Sequence, residues 1–157
     1  MIKTILFDLD GTLLNTIDDL TDITWSEFAK IGKDVHDKTG KYLLTSEGTG
    51  GDTMMMMIQS CGANFVNDDG EAYIVGNDVA EKCVDLYVDL VKNNVVKLVN
   101  NWDEYISTIT SGEAAGIVNG NWITATLMGT EDQKGLWQIT TMPKVDGVDT
   151  ATNYANN

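Results

Sequence analysis

Short apolar runs with a strand-like period alternate along this chain with stretches in which apolar residues recur every three or four positions. Glycines or asparagines stand at most of the changes. Thr4 to Leu9 is an apolar run broken by acids and then by Gly11, which predicts a buried strand opening into a loop. Thr24 and Glu27 then form a capping box. Trp25, Phe28, Ile31 and Val35 share one face of the helix it opens, and Gly40 stops it. Lys41 to Ser46 follow as a strand. Glu47 to Asp52 holds three glycines and leads into a short helix from Met54 to Cys61, closed by Gly62.

Further on, extended pieces around Phe65 and Tyr73 flank Asp68-Asp69-Gly70, the signal of a hairpin turn. The strongest helical pattern runs from about Val79 to Lys92. Asp78 and Glu81 read as its capping box, and Val79, Cys83, Leu86, Tyr87, Leu90 and Val91 form a stripe suited to packing on a sheet. Another helix is expected over Trp102 to Ser111, capped by Asn101 and ended by Gly112. Ala114 to Val118 then read as an interior strand and Asn119 to Trp122 as a turn. A short helix near Ile123 to Leu127 and an extended Leu136 to Met142, stopped by Pro143, complete the elements. Strands and helices alternating at this spacing predict a layered α/β domain, a mixed sheet flanked by helices. The chain is expected to form one compact unit over residues 1–157.

Composition narrows the partners. The 157 residues are 43% hydrophobic and 22% charged, an ordinary globular balance. All 10 basic residues are lysines, and against 24 acids they leave a formal net charge of −14. Such a charge disfavours nucleic acid and anionic membranes as partners. Nothing approaches a membrane-spanning apolar run. Cys61 and Cys83, with His36 the only histidine, make no recognisable zinc spacing, and both cysteines are expected as small buried apolar residues. His36 falls on the polar side of the first helix with no partner in view and is given no role.

Two family resemblances follow from longer motifs. The opening MIKTILFDLDGTLLNT resembles the first motif of haloacid-dehalogenase-like phosphatases, and Ile17 to Asp22 resemble its continuation in phosphoglycolate-phosphatase-like members. This resemblance implies Asp8 as the nucleophile toward a phosphoryl group and Asp10 as general acid and base and magnesium ligand. Tyr42 to Thr45 are similar to the second motif and Ile74 to Asp78 to the fourth, so Asp78 is either a further magnesium ligand or a helix N-cap.

Residues 24–157 resemble the C-terminal lobe of sugar-type extracellular solute-binding proteins of ABC transporters. The resemblance is carried in order by Trp25-Ser26-Glu27-Phe28, Lys38-Thr39-Gly40-Lys41, Asn100 to Tyr105, Ser111-Gly112-Glu113 and Asn119 to Trp122. It implies a periplasmic-binding-protein-like fold, in which two α/β lobes joined by hinge strands close over a ligand. Residues 1–22 would then be a phosphatase-like leading strand and loop, residues 23–157 the lobe, and the whole a chimera or an excised lobe. The parent family is extracytoplasmic and docks on an ABC transporter permease. This chain has acids where a signal peptide would continue its apolar stretch, so as written it is expected in the cytoplasm.

The function expected is binding of a sugar or similar small solute, without a cofactor, rather than catalysis, and weak or inactive in this stretch alone. Sugars present hydroxyl edges and weakly apolar C–H faces, which call for flat aromatic rings beside carboxylates and amides. Trp122 at a strand end fits the ring, and Asn121, Glu47 and Asp52 fit the hydrogen-bonding groups, with Trp102 approaching the same cleft. Trp25, Trp137 and the run Met54 to Met57 carry the periodicity of core residues. No spacing of acids singles out the carboxylate pair of a glycoside hydrolase. The alternatives are a magnesium-dependent phosphatase using Asp8 and Asp10, and an engineered or excised structural chimera with no activity.

Overall fold

The computed structural model of the protein describes residues 3–7, 23–49, 51–133, 135–140 and 142–148. Asp8, Asp10, Gly11 and Thr12, with the phosphatase-like reading they carry, lie outside these residues.

Helix α1, Trp25–Thr39, starts at the capping box read from the sequence. The Thr24 hydroxyl accepts the Glu27 N–H at 3.3 Å, and the Glu27 carboxylate accepts the Thr24 N–H at 2.8 Å. The helix ends at Gly40, whose φ of 73° is the left-handed conformation that costs glycine nothing. Its buried face is Trp25 and Phe28, edge to face at 5.3 Å. Burying each ring stabilises the fold by about 1.5–3 kcal/mol.

The remaining elements alternate. Strand β1 is Lys3–Phe7 and β2 is Leu44–Glu47. Helices α2, Gly51–Ser60, and α3, Asp78–Lys92, precede β3, Val96–Val99. Helix α4, Trp102–Thr110, leads to β4, Gly116–Asn119. A single 3-10 turn over Asn121–Ile123 enters α5, Thr124–Met128, and β5 is Trp137–Thr140.

Strands β2 and β3 are parallel, with Leu44 opposite Val96, and β1 lies antiparallel between β4 and β5. The Tyr42 N–H donates to the Glu113 carbonyl at 3.0 Å, and the Tyr42 carbonyl accepts from Ala115 at 2.9 Å. These bonds join the two pieces into one mixed layer. Successive side chains of β4 point to opposite faces and separate two cores. Val118 joins Trp25, Phe28, Met57, Cys83 and Leu90 under α1, α2 and α3, whereas Ile117 joins Tyr105, Ile109 and Leu127 under α4 and α5. The protein is thus a mixed sheet between two helical layers, the class its pattern predicts.

Several expectations are corrected. The residue capping α3 is Asn77, whose side-chain oxygen accepts the Ala80 N–H at 3.1 Å, so Asp78 is the first helical residue and not the N-cap. Strand β3 was not anticipated, although Val95 to Val99 is an apolar run between two Asn-Asn pairs. The expected hairpin contracts to a single antiparallel bridge, Val66 to Ala72, around a turn in which the Asn67 carbonyl accepts the Gly70 N–H at 3.0 Å and the Asn67 N–H donates to the Glu71 carbonyl at 2.9 Å. His36 does have partners: its Nδ1 stands 3.2 Å from the Lys41 carbonyl and its ring 4.7 Å from that of Tyr42. The strand expected over Lys41 to Ser46 begins only at Leu44 and runs on to Glu47.

Candidate ligand cleft

The carboxyl ends of β2 and β4 and the amino ends of α2 and α4 converge on one open cleft of about 140 Å³. A crevice beyond strand ends is where α/β sheets present loops and helix N-termini to ligands. Glu47 closes β2, Asp52 and Thr53 open α2, Trp102 opens α4, Asn119 ends β4, and Trp122 follows in the 3-10 turn; all six line the cleft.

The aromatic wall is layered. Trp102 stacks on Tyr105 with ring centres 5.3 Å apart and planes at 20°, and meets Trp122 at 5.6 Å with planes tilted by 33°. Asn101 caps α4 by accepting the Glu104 N–H at 2.9 Å, and Glu104 reaches back to the Asn100 N–H at 2.8 Å, so the turn carrying Trp102 is held at both ends. Trp102 and Trp122 are 42% and 47% exposed, while Tyr105 beneath them is buried. Large rings left open to solvent in a cleft are a surface for a flat apolar face.

Polar groups border that wall. The Tyr105 hydroxyl accepts from the Asn119 amide at 3.1 Å, and the Asn119 side-chain oxygen in turn accepts the Gly120 N–H at 2.7 Å. Burial pushes the Tyr105 phenol above its ordinary range; the Asn119 hydrogen bond pulls the other way, and the nearby Glu47 and Asp52 carboxylates add to the rise. Tyr105 is therefore a neutral hydroxyl. With its oxygen accepting from Asn119, its own proton remains to be donated. Deeper, Ser46 and Thr53 share a hydrogen bond of 3.0 Å. The lining contains two carboxylates and no lysine or histidine among the described residues. Such a site repels anions and favours neutral or cationic ligands rich in hydroxyl or N–H donors.

Of the residues singled out in the sequence, Glu47, Asp52, Trp102 and Trp122 come together around this one cleft. Asn121 opens the 3-10 turn, and its side chain lies outside the described residues. Thr49, within the Glu47–Asp52 loop, lines the cleft too, and so do Tyr105, Asn119, Ser46 and Thr53, which the sequence reading does not single out. A signal existed for Asn119, which stands two positions before Asn121 at the same strand end. Tyr105 reads from sequence only as a position on an amphipathic helix. Of the methionine run, Met56 and Met57 are buried, and Met56 also forms part of the cleft floor. Asp78 does not line the cleft, and among the described residues no group of three or more His, Cys, Asp or Glu side chains is arranged to hold a metal ion. Among the same residues no helix is long and apolar enough to cross a membrane.

Residues 6–156 match the family model described as bacterial extracellular solute-binding protein. The chain belongs to that family. The match begins within β1 and runs through the segment that resembles the phosphatase motif, so one solute-binding family spans both sides of the boundary expected near residue 22. A lactose-binding protein of Rhizobium radiobacter is 33% identical over 142 residues, which cover 89% of this chain and 34% of that protein. The GacH receptor of Streptomyces glaucescens, solved unliganded and in complex with acarbose and an acarbose homolog, superposes with a TM-score of 0.73 at 17% identity. That superposition covers 94% of this chain and 39% of the receptor. The chain thus spans little more than a third of the length of these relatives. The structural likeness shows the fold, a periplasmic-binding-protein-like α/β lobe.

Proposed function

We propose that this cleft is one jaw of a carbohydrate-binding site in an ABC-transporter solute-binding protein. In this reading the ring faces of Trp122 and Trp102 stack on the C–H face of a sugar. Glu47, Asp52 and Asn121 accept or donate to its hydroxyls, and Tyr105 and Asn119 extend the same polar edge. The observation that carries it is the pair of half-exposed indoles, ring centres 5.6 Å apart, beside two carboxylates with no cation in the lining among the described residues. The lactose-binding relative and the acarbose-bound receptor support a saccharide over other hydroxyl-bearing ligands. The binding needs no cofactor. The partner proposed for the whole protein is a transporter permease, and its compartment lies outside the cytoplasmic membrane.

Residues 1–157 by themselves are proposed to bind weakly, because a second jaw contributes contacts in the family and each 1.4 kcal/mol lost is about tenfold in affinity. No observation on the described residues favours the magnesium-dependent phosphatase, whose Asp8 and Asp10 lie outside them. Calorimetric titration with neutral mono- and oligosaccharides and with their phosphorylated counterparts tests the proposal. Millimolar binding of at least one neutral sugar, weakened severalfold by a phosphate group, is expected. Tighter binding of the phosphorylated form, or no heat from any saccharide, contradicts it.

A further inference from the structure

The acidic side chains of the cleft have no counter-charge. Glu47 ends β2 and Asp52 stands in the first turn of α2, both exposed, and among the described residues neither carboxylate accepts a hydrogen bond or pairs with a lysine. The lysine on the strand beside β2, Lys97, is taken up by Glu113 at 2.6 Å, and no described lysine lines the cleft. Along the same lining run the half-exposed faces of Trp102 and Trp122. The buried Tyr105 hydroxyl, also in the lining, accepts from Asn119 and meets no acceptor for its own proton among the described residues.

We infer, resting on the carbohydrate reading of the same cleft, that it selects a saccharide carrying a protonated amine, with the ammonium facing Glu47 and Asp52 beside the indoles. Neutral hydroxyls can donate to both carboxylates, but a ligand that covers them strips their water and leaves two charges uncompensated. An ammonium supplies N–H donors and the missing positive charge together.

The aromatic wall strengthens the preference, because a cation near an indole face is attracted by the negative π surface. It also separates an organic ammonium from a metal ion. Indoles offer no ligand atom, and among the described residues no third carboxylate, cysteine or histidine completes a metal shell. Tyr105 adds a direction. Its proton calls for an acceptor, so the sugar turns a ring or hydroxyl oxygen toward Tyr105 and its amine toward the two acids.

Calorimetric titration of the full chain at low ionic strength compares glucose, glucosamine and N-acetylglucosamine, and the corresponding galactose series. In at least one series the amino sugar is expected to bind about tenfold more tightly than its neutral parent. The N-acetyl derivative, which has lost the charge, is expected to return to the parent's affinity. The preference should fall toward unity in Glu47→Gln/Asp52→Asn and persist in Asp85→Asn/Asp89→Asn, which removes as much charge from the exposed face of α3. Equal affinity of amino and neutral sugars in both series overturns the inference and leaves the carbohydrate site standing. A preference shared by the N-acetyl derivative overturns it too, as does one lost equally in the α3 control, which would belong to the whole acidic surface. No heat from any sugar of either series rejects the site and the inference together. Because the acetyl comparison uses the wild type, a variant that fails to fold leaves the test intact.

Discussion

One side chain, Asn77, joins three pieces of chain. It is 4% exposed; its oxygen accepts the Ala80 N–H at the start of α3, and its amide donates to the carbonyls of Asn64 at 2.8 Å and Tyr73 at 3.0 Å. Capping alone would make Asp as good as Asn here. The two carbonyl acceptors change that, because an aspartate would turn an oxygen toward them and leave both without a donor. Asn77→Ala is expected to lower stability by about 2–4 kcal/mol. Asn77→Asp is expected to cost about as much, measured by urea denaturation. If Asn77→Asp were neutral, Asn77 would be a cap and nothing more. Sequence reading placed this cap one residue late because Asp78 is also a good capping type and precedes Glu81 by a box-like interval. What decides between neighbours is the pair of carbonyls brought in from the 64–73 stretch, and those are tertiary. The same limit applies to Tyr105, which lines the cleft and whose hydroxyl is bonded there by Asn119 on another element.

Among elements, close approach of α1 to the entry of β3 depends on Gly32. A Cβ built there collides with the Cγ1 of Val95, which is itself fully buried in the larger core. Glycine inside a helix ordinarily destabilises it by about 1 kcal/mol relative to alanine. Gly32→Ala is nevertheless expected to lower stability, by about 1–2 kcal/mol net, because overpacking outweighs the gain in helix propensity. In the double variant Gly32→Ala/Val95→Ala the two changes are expected to compensate, with a coupling of about 1 kcal/mol or more in thermal or urea melts. Additive losses would mean that the two sites do not touch. The elements most legible in the sequence are those with local punctuation, such as α1 with its capping box and left-handed Gly40. Strand β3 went unseen because its four residues lie between helices and its ladder is completed by β2, a partner far away in sequence. The turn before it, with Asn94 at φ 56°, is nonetheless the kind of Asn-rich reversal that marks a strand entry.

For the molecule as a whole, the sheet layer fixes where function can sit. Parallel β2 and β3, with β4 alongside, bring the carboxyl ends of strands and the amino ends of α2 and α4 to one edge. Four residues singled out in the sequence, Glu47, Asp52, Trp102 and Trp122, meet at that edge because each stands at an element end next to a turn, the position that loops of an α/β lobe expose. The acid-rich surface keeps anions away from the whole molecule, and the cleft repeats that preference locally. The measurement that tests the account most directly follows the four indole N–H signals in two-dimensional NMR during titration with a saccharide. Trp102 and Trp122 are expected to shift together with saturation, while the fully buried Trp25 stays in place. Shifts confined to Trp25 or Trp137, or no indole shift while the sugar binds elsewhere on the chain, would contradict a carbohydrate site at this cleft.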